Sequence, residues 1–285
     1  MAKYSIWIVD CGRSSFFSTE HLYGGFYKKG EPASMAMGLA IIKGENRNIL
    51  IDSGVDTDPV GMQMLNSRGY YDCISPAKAV EMVGLKAGDI TDIIITHAHW
   101  DHIGAIHCFP NAHFYIQKAE YLTWLEWLTL PPEFSILTRC ITQEHFEQLV
   151  HLGKDHRLTL LDGPCDNLFP GVHIRTGSGH SIASQMAIIE TEHQSYMAVG
   201  DAAYAPEGVI RTGDGRYLPT GMSVAAGTMC DMLFTMQAID RFCEGDISRV
   251  LIVHDVETWN RYPSSLKGGH PLAEVCLATG EASRL

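Results

Sequence analysis

Residues 92–102 read Asp92-Ile93-Ile94-Ile95-Thr96-His97-Ala98-His99-Trp100-Asp101-His102, and this stretch decides the fold. Its first half is an apolar, β-branched run of the kind that forms a buried strand. Its second half holds the side chains His97, His99, Asp101 and His102, whose imidazole and carboxylate groups suit zinc. His97 and His99 alternate in an extended turn, which would let both rings converge on one ion. The side chains of Asp101 and His102 would then face the position of a second ion. The stretch therefore predicts a metal site at a strand end.

A site for two metal ions needs about seven or eight protein donors, so further ligands must come from distant parts of the chain. Three polar residues stand where predicted strands end: His180 after a glycine-rich turn, and Asp201 and His254 after apolar runs. Their recurrence predicts a site built along one edge of a sheet. We expect two divalent ions, with zinc favoured and Mn²⁺, Fe²⁺ or Co²⁺ accepted by the same donors.

Composition describes an ordinary globular chain of 285 residues, 46% of them hydrophobic, with no segment of linker composition. We expect a single domain spanning residues 1–285. The formal charge of −12, without any block of basic residues, argues against binding to nucleic acid or to an anionic membrane. No apolar run approaches the length of a membrane span. A small-molecule substrate fits this composition best.

The eight cysteines are scattered without a Cys-x-x-Cys pair, and the first residues lack the apolar region of a secretory signal. Both features indicate reduced thiols and a cytoplasmic location. The aromatic residues are numerous enough for a homodimer interface, and the sequence does not decide the oligomeric state.

Short apolar runs and helical periodicities alternate irregularly, which predicts a mixed α and β protein. The predicted strands are 5–9, 38–43, 48–51, 93–96, 113–117, 158–161, 172–176, 185–190, 196–199 and 250–254. The predicted helices are 76–83, 118–128, 143–152 and 228–242. Residues 11–30 carry Phe16, Phe17, Tyr23, Phe26 and Tyr27 among glycines and serines. This segment is too irregular for either element and is expected to form a lid over the site or to pack elsewhere.

The order His-x-His-x-Asp-His, lone His, Asp, lone His resembles the metallo-β-lactamase superfamily along nearly the whole chain. Residues 49–54, which include Asp52, are similar to that family's early strand ending in a supporting aspartate. The resemblance implies an α+β fold, an αββα sandwich of two mixed sheets flanked by helices. It also implies the following ligands: His97, His99 and His180 for the first metal, Asp101, His102 and His254 for the second, and Asp201 as the bridge.

Within that superfamily, Asp201-Ala202-Ala203-Tyr204 resembles the Asp-x-x-Tyr segment of N-acyl homoserine lactonases, whose tyrosine contacts the substrate. The alternative for Tyr204 is a half-buried structural tyrosine with a satisfied hydroxyl. One position departs from the family pattern, because Ser184 stands where many members have a second histidine four residues after the lone one. Trp100, flanked by candidate ligands, is expected to form a wall of the pocket.

The expected chemistry is hydrolysis of a lactone, either an N-acyl homoserine lactone or another small cyclic ester. Two neighbouring cations lower the pKa of a bridging water, so that the resulting hydroxide can attack a carbonyl carbon. Tyr204 would donate a hydrogen bond to the developing oxyanion or leaving oxygen, and Asp101 would relay a proton. The alternatives are a hydrolase of cyclic amides, thioesters or phosphodiesters, a di-iron redox protein with a flavin partner, and a non-catalytic metal-binding domain.

Overall fold

The computed structural model describes residues 2–22, 30–219 and 227–285. The strands are β1 (Tyr4–Ser18), β2 (Pro32–Gly44), β3 (Arg47–Ile51), β4 (Gly54–Val55), β5 (Tyr70–Tyr71), β6 (Asp92–Ile94), β7 (His113–Gln117), β8 (Leu158–Leu161), β9 (Cys165–Phe169), β10 (Val172–Thr176), β11 (Gln185–Glu190), β12 (Ser195–Ala198), β13 (Val250–Leu251), β14 (Ser264–Lys267) and β15 (His270–Cys276). The α-helices are α1 (Thr19–Leu22), α2 (Pro59–Ser67), α3 (Pro76–Met82), α4 (Trp100–Ile103), α5 (Lys118–Trp127), α6 (Gln143–Lys154), α7 (Met229–Cys243) and α8 (Thr258–Arg261).

Within these described ranges the strands form two mixed sheets. The larger sheet has the order β14-β15-β1-β2-β3-β6-β7-β8, with β5 also paired to β1. Its strands β3, β6, β7 and β8 are parallel, and the remaining pairs are antiparallel. The smaller sheet has the order β13-β12-β11-β10-β9, in which only β12 and β13 are parallel.

Side chains that point alternately to the two faces of each strand explain how the sheets stack. On β1, Ile6 and Ile8 pack into a core shared with Ile174 and Ile189 of the smaller sheet. The intervening Trp7 and Val9 pack into a second core with residues of α3, α5 and α6. A third core joins the other face of the smaller sheet to α7. The layers are therefore helices, sheet, sheet, helix, which confirms the predicted αββα sandwich.

The candidate ligands follow the ends of strands that meet at one edge of this sandwich. His97 follows β6, His180 follows β10, Asp201 follows β12 and His254 follows β13. The backbone N–H of Gln185 on β11 donates to Thr96 O at 2.8 Å, which ties the smaller sheet to the end of β6. The predicted edge site thus draws its residues from both sheets.

The prediction for residues 11–30 is wrong over its first part. Strand β1 continues to Ser18 because its outer half pairs with β2 and with β5, and α1 follows directly. Register shifts in the β1–β2 pairing explain why the sequence pattern looks irregular there. The aromatic residues Tyr23, Phe26 and Tyr27 lie outside the described residues. The extended turn predicted for the ligand stretch ends at His99, since residues from Trp100 onward form α4.

None of the helices in the described ranges is both long and apolar enough to span a bilayer.

Candidate metal centre

The first group of candidate ligands consists of His97, His99, His180 and one oxygen of Asp201. His99 Nδ1 lies 2.9 Å from His97 Nε2 and 3.1 Å from His180 Nε2. Asp201 Oδ2 lies 3.2 Å from His180 Nε2 and 3.6 Å from His97 Nε2. Tetrahedral zinc with bonds of about 2.0–2.1 Å requires ligand atoms roughly 3.3 Å apart. These four atoms have the spacing that one such ion requires.

The second group consists of Asp101, His102 and His254, with the other oxygen of Asp201. Asp201 Oδ1 lies 3.1 Å from His102 Nε2 and 3.0 Å from His254 Nε2. The Asp101 carboxylate reaches the same two nitrogens at 3.8 and 3.7 Å. The two oxygens of Asp201 therefore face different groups, which is the arrangement of a carboxylate bridging two ions.

Both groups fit divalent cations in their chemistry as well as in their spacing. The Nε2 atoms of His102 and His254 are buried yet lack a well-directed hydrogen bond to any described residue. The opposite nitrogen of each ring is held: His102 Nδ1 donates to Asp52 Oδ2 at 2.7 Å, and His254 Nδ1 donates to Ala36 O at 2.8 Å. This contact leaves the Nε2 lone pair directed into the site, as a metal-binding histidine requires.

The electrostatics differ between the two groups. Burial and the neighbouring imidazoles hold the pKa values of His97 and His99 well below the usual range of histidine. Burial also opposes the charge on His102, but Asp201, Asp52 and Asp101 outweigh it and raise its pKa well above the usual range. The pKa of Asp201 is held well below its usual range despite burial, because the surrounding histidines favour the carboxylate. The carboxylates of Asp52, Asp101 and Asp201 thus favour a positive charge in the space between them.

Asp52 is the supporting aspartate that the sequence predicts after β3. Its carboxylate accepts from Thr96 N at 2.6 Å and Thr96 Oγ1 at 2.8 Å in addition to His102. Its backbone adopts a φ of 64°, which short polar residues tolerate better than most. Close approach also explains Gly200, because a Cβ there would lie only 2.6 Å from Thr96 Oγ1. This packing brings Asp201 against the start of the ligand stretch.

Glu120, which the sequence analysis missed, holds two of the ligand-bearing loops together. The residue is fully buried on α5. Its carboxylate accepts from Ala98 N at 3.2 Å, Ala183 N at 3.0 Å, Trp124 Nε1 at 2.8 Å and the Ser181 hydroxyl. Four donors from three segments balance the cost of burying this charge. A lone glutamate in a helical pattern carries no local signal of such a role.

Tyr204 lies at the site, as predicted. Its hydroxyl is 3.5 Å from His180 Nδ1, and its ring contacts those of His180 and His254 at centroid distances of 5.7 and 5.4 Å. Burial, with the charges of Asp201 and Asp101, raises the pKa of Tyr204 well above its usual value. The phenol is therefore a proton-bearing donor at neutral pH.

A second tyrosine, Tyr70 on β5, was not predicted. Burial raises its pKa well above the usual value, and the charges of Asp101 and Asp201 contribute to the shift. Its ring contacts that of Trp100 at a centroid distance of 6.3 Å. The sequence places Tyr70 in a two-residue strand far from every motif, so only tertiary contacts reveal it. Trp100 itself is buried against Tyr70, consistent with the predicted wall.

Two other positions behave as structural residues. Ser184, which replaces the family's second histidine, is buried, and its hydroxyl has no hydrogen-bond partner among the described residues. Trp124 on α5 is fully buried in the core that joins the larger sheet to the helices. Its ring contacts His99 at 5.8 Å and so supports a ligand from below.

Comparisons with known proteins agree with this geometry. The family model of the metallo-beta-lactamase superfamily matches residues 40–225, which is more than half of the chain. A probable metallo-hydrolase of Mycobacterium tuberculosis is 25% identical over 174 residues, covering 58% of this chain and 56% of that protein. An N-acyl homoserine lactonase of Bacillus thuringiensis is 27% identical over 177 residues, covering 59% of this chain and 64% of the lactonase. The matches thus span less than two thirds of each curated relative.

Among solved structures, AidC is described as a dizinc quorum-quenching lactonase in complex with the product N-hexanoyl-L-homoserine. It superimposes with a TM-score of 0.66 at 17% identity, covering 94% of this chain and 92% of its own. At this identity the likeness concerns the fold.

Proposed function

Because the chain belongs to the metallo-beta-lactamase superfamily, we propose that it is a metal-dependent hydrolase that opens a lactone ring. The substrate class is an N-acyl homoserine lactone or another small cyclic ester. One observation carries the proposal: the two oxygens of Asp201 face two separate groups of buried ligands. The sequence similarity between this chain and the B. thuringiensis lactonase supports the choice of a cyclic ester as substrate.

The proposed ligands form the same two groups as in the structure, one group for each metal ion. One divalent ion would be held by His97, His99, His180 and Asp201, and the other by Asp101, His102, His254 and Asp201. Bound there, the ions would polarise a carbonyl oxygen and lower the pKa of a water molecule. Imidazole and carboxylate donors favour zinc and also accept Mn²⁺, Fe²⁺ or Co²⁺.

The chain's own groups would then orient the substrate and move protons. Tyr204 would donate its phenolic hydrogen to the oxygen that gains negative charge, since its raised pKa keeps the hydroxyl protonated. Asp101 would accept a proton and pass it to the leaving oxygen, because its side chain is the most exposed of the ligands, at 11%. Tyr70 is a second phenol near the acidic groups and would confine the substrate from the opposite wall.

A hydrolysis screen tests this proposal. Matched lactone, cyclic amide, thioester and phosphodiester substrates are incubated with the metal-loaded protein. A pH indicator follows acid release from the lactone, thioester and phosphodiester, and chromatography follows the ring-opened amide, whose freed amine takes up the proton. We expect turnover of the lactone and about two equivalents of metal per chain. Turnover of another class with an inert lactone would overturn the lactonase assignment, and an iron centre that consumes oxygen would overturn the hydrolase assignment.

Four further expectations remain predictions: a single domain over residues 1–285, a cytoplasmic location, a homodimer, and no binding to nucleic acid or membranes. Light scattering of the purified chain and limited proteolysis would test the dimer and the single domain.

A further inference from the structure

A cavity of about 500 Å³ lies beside Arg68, whose guanidinium group contacts the ring of Trp100 in the ligand stretch. It is lined by Phe16, Phe17, Ser18, Ser67, Arg68 and Arg139. These residues come from the outer half of β1, the end of α2 and the segment before α6. None belongs to a motif that the sequence analysis singled out for metal binding.

A row of aromatic rings connects this cavity to the ligand stretch. Successive ring centroids are 6.4 Å apart for Phe16 and Phe17, 6.1 Å for Phe17 and Tyr70, and 6.3 Å for Tyr70 and Trp100. All three contacts are edge-to-face, the geometry that aromatic pairs prefer. Trp100 stands between His99 and Asp101, so the row begins at the cavity and ends at the proposed metal ligands.

The two arginines approach Trp100 from different segments. The guanidinium carbon of Arg68 lies 4.5 Å from the Trp100 ring centroid, a cation–π contact. Arg139 directly precedes Cys140, whose carbonyl accepts from Trp100 N at 2.9 Å. Backbone and ring contacts to Trp100 therefore place both arginines beside the ligand stretch.

Neither arginine has a carboxylate within ion-pair distance in the described ranges, although the chain carries 33 acidic and 21 basic residues. The bonds of Arg68 use Nη1 alone, which donates to Met64 O at 3.4 Å and to Ser67 Oγ at 3.0 Å and contacts Met64 Sδ at 3.7 Å. Those contacts explain Arg68 as a cap of the α2 C-terminus. They leave the Nε and Nη2 donors of Arg68 available to a ligand, and the exposed Arg139 side chain makes no hydrogen bond or ion pair with a described residue.

We propose that this cavity binds an anionic oxygen group of the substrate, a carboxylate or a phosphate, held by Arg68 and Arg139. Guanidinium groups bind both anions through paired N–H donors. The inference rests on the proposed function and narrows it: the cyclic ester carries a negative charge at the end remote from the scissile carbonyl. The part between them is apolar or aromatic and lies along Phe17, Tyr70 and Trp100.

The kinetic test compares three γ-lactones that differ only at the end of one side chain: a carboxylate, a phosphate or a neutral amide. We expect kcat/KM for one anionic lactone to exceed that of the amide by at least about tenfold, mainly through KM. The double variant Arg68→Gln/Arg139→Gln should bring this ratio close to one, and 0.5 M salt should reduce it. The preferred anion identifies the group. Equal or faster turnover of the amide, with a ratio insensitive to the arginines, overturns the inference.

The control variant is Arg241→Gln, an exposed arginine on α7 outside the cavity, which should keep the wild-type ratio. Thermal melting of each variant checks that the fold is retained.

A binding measurement separates this inference from the proposed function. If none of the three lactones is hydrolysed, the lactonase proposal fails, and anion binding is still measured by titrating tryptophan fluorescence with glutarate, propyl phosphate or glutaramide. We expect a saturable change with one of the two anions, a much smaller one with the neutral diamide, and loss of the change in Trp100→Phe. Weaker anion binding in Arg68→Gln/Arg139→Gln supports the site. Unchanged binding in that variant overturns it, because the anion would then bind elsewhere, including at the metal ions.

Discussion

The two halves of the candidate metal centre share one edge of the sandwich and one carboxylate, yet they differ in charge. In the half formed by His97, His99 and His180, burial and mutual repulsion lower the pKa values of His97 and His99. In the half formed by Asp101, His102 and His254, nearby acids raise the pKa of His102 and, more modestly, that of His254, against the effect of burial. His97 and His99 are therefore neutral ligands at neutral pH, whereas the other half attracts positive charge of any kind.

This difference decides what competes with a metal ion. A neutral imidazole with a lowered pKa is already a ligand at neutral pH, whereas an imidazole with a raised pKa must first release its proton. The acidic half is therefore more dependent on pH and on the aspartates that surround it. Asp201 belongs to both halves, since one oxygen faces each of them.

The largest effect is expected for Asp201→Asn, which removes the charge that both halves share. We expect loss of metal from both halves and a fall in kcat/KM of about a thousandfold, which corresponds to several kcal/mol of lost stabilisation. Metal analysis together with lactone hydrolysis measures both quantities. The exposed Asp162→Asn is the matched control. A variant that keeps two equivalents of metal would show that Asp201 does not join the halves.

A smaller and one-sided effect is expected for Asp52→Asn. The variant has no negative charge beside His102 and only one acceptor oxygen for Thr96 N and His102 Nδ1, which bond to different oxygens of Asp52. One of two metal equivalents should therefore bind about ten- to a hundredfold more weakly, the usual cost of losing such a support. Thr96→Val provides a comparison that affects both halves, because Thr96 Oγ1 lies 3.1 Å from His97 Nδ1 and also donates to Asp52, the acceptor of His102. Competition with a chelator of known affinity measures each equivalent. Equal weakening of both equivalents by Asp52→Asn would contradict the asymmetry.

Acid should remove the two ions in sequence. Because the pKa of His102 is raised, protons compete for it at a higher pH than for His97 and His99, whose pKa values are lowered. As pH falls, we therefore expect one equivalent to be released first, its affinity dropping about tenfold per pH unit below the pKa of His102. Dialysis at a series of pH values, followed by metal analysis, measures the order. Simultaneous release of both equivalents would count against the charge difference.

The candidate ligands could be located from the sequence because each lies at or shortly after an apolar run whose period and length are visible locally, and their binding of metal stays a prediction. Strands β7, β8, β10 and β11 have the predicted bounds for the same reason. The extension of β1 to Ser18 and the hairpin of β14 and β15 were missed, since bulged or polar strands are defined by their partners. The same is true of the site: His97 and Asp201 stand in patterns, whereas Glu120 and Tyr70 reach it only through tertiary packing.

The smallest effect is expected for Tyr204→Phe, which removes a hydroxyl located between the two halves of the candidate metal centre. The Tyr204 ring contacts one histidine of each half, yet its hydroxyl is expected to act on the substrate. Losing one hydrogen bond to a developing charge should lower kcat about tenfold, while both metal equivalents and their order of release on acidification stay unchanged. Steady-state kinetics and metal analysis of the same preparation measure this. Unchanged kcat would remove the tyrosine from the reaction, and loss of one equivalent would make it a support of that half, because its contact with His180 Nδ1 would then be what matters.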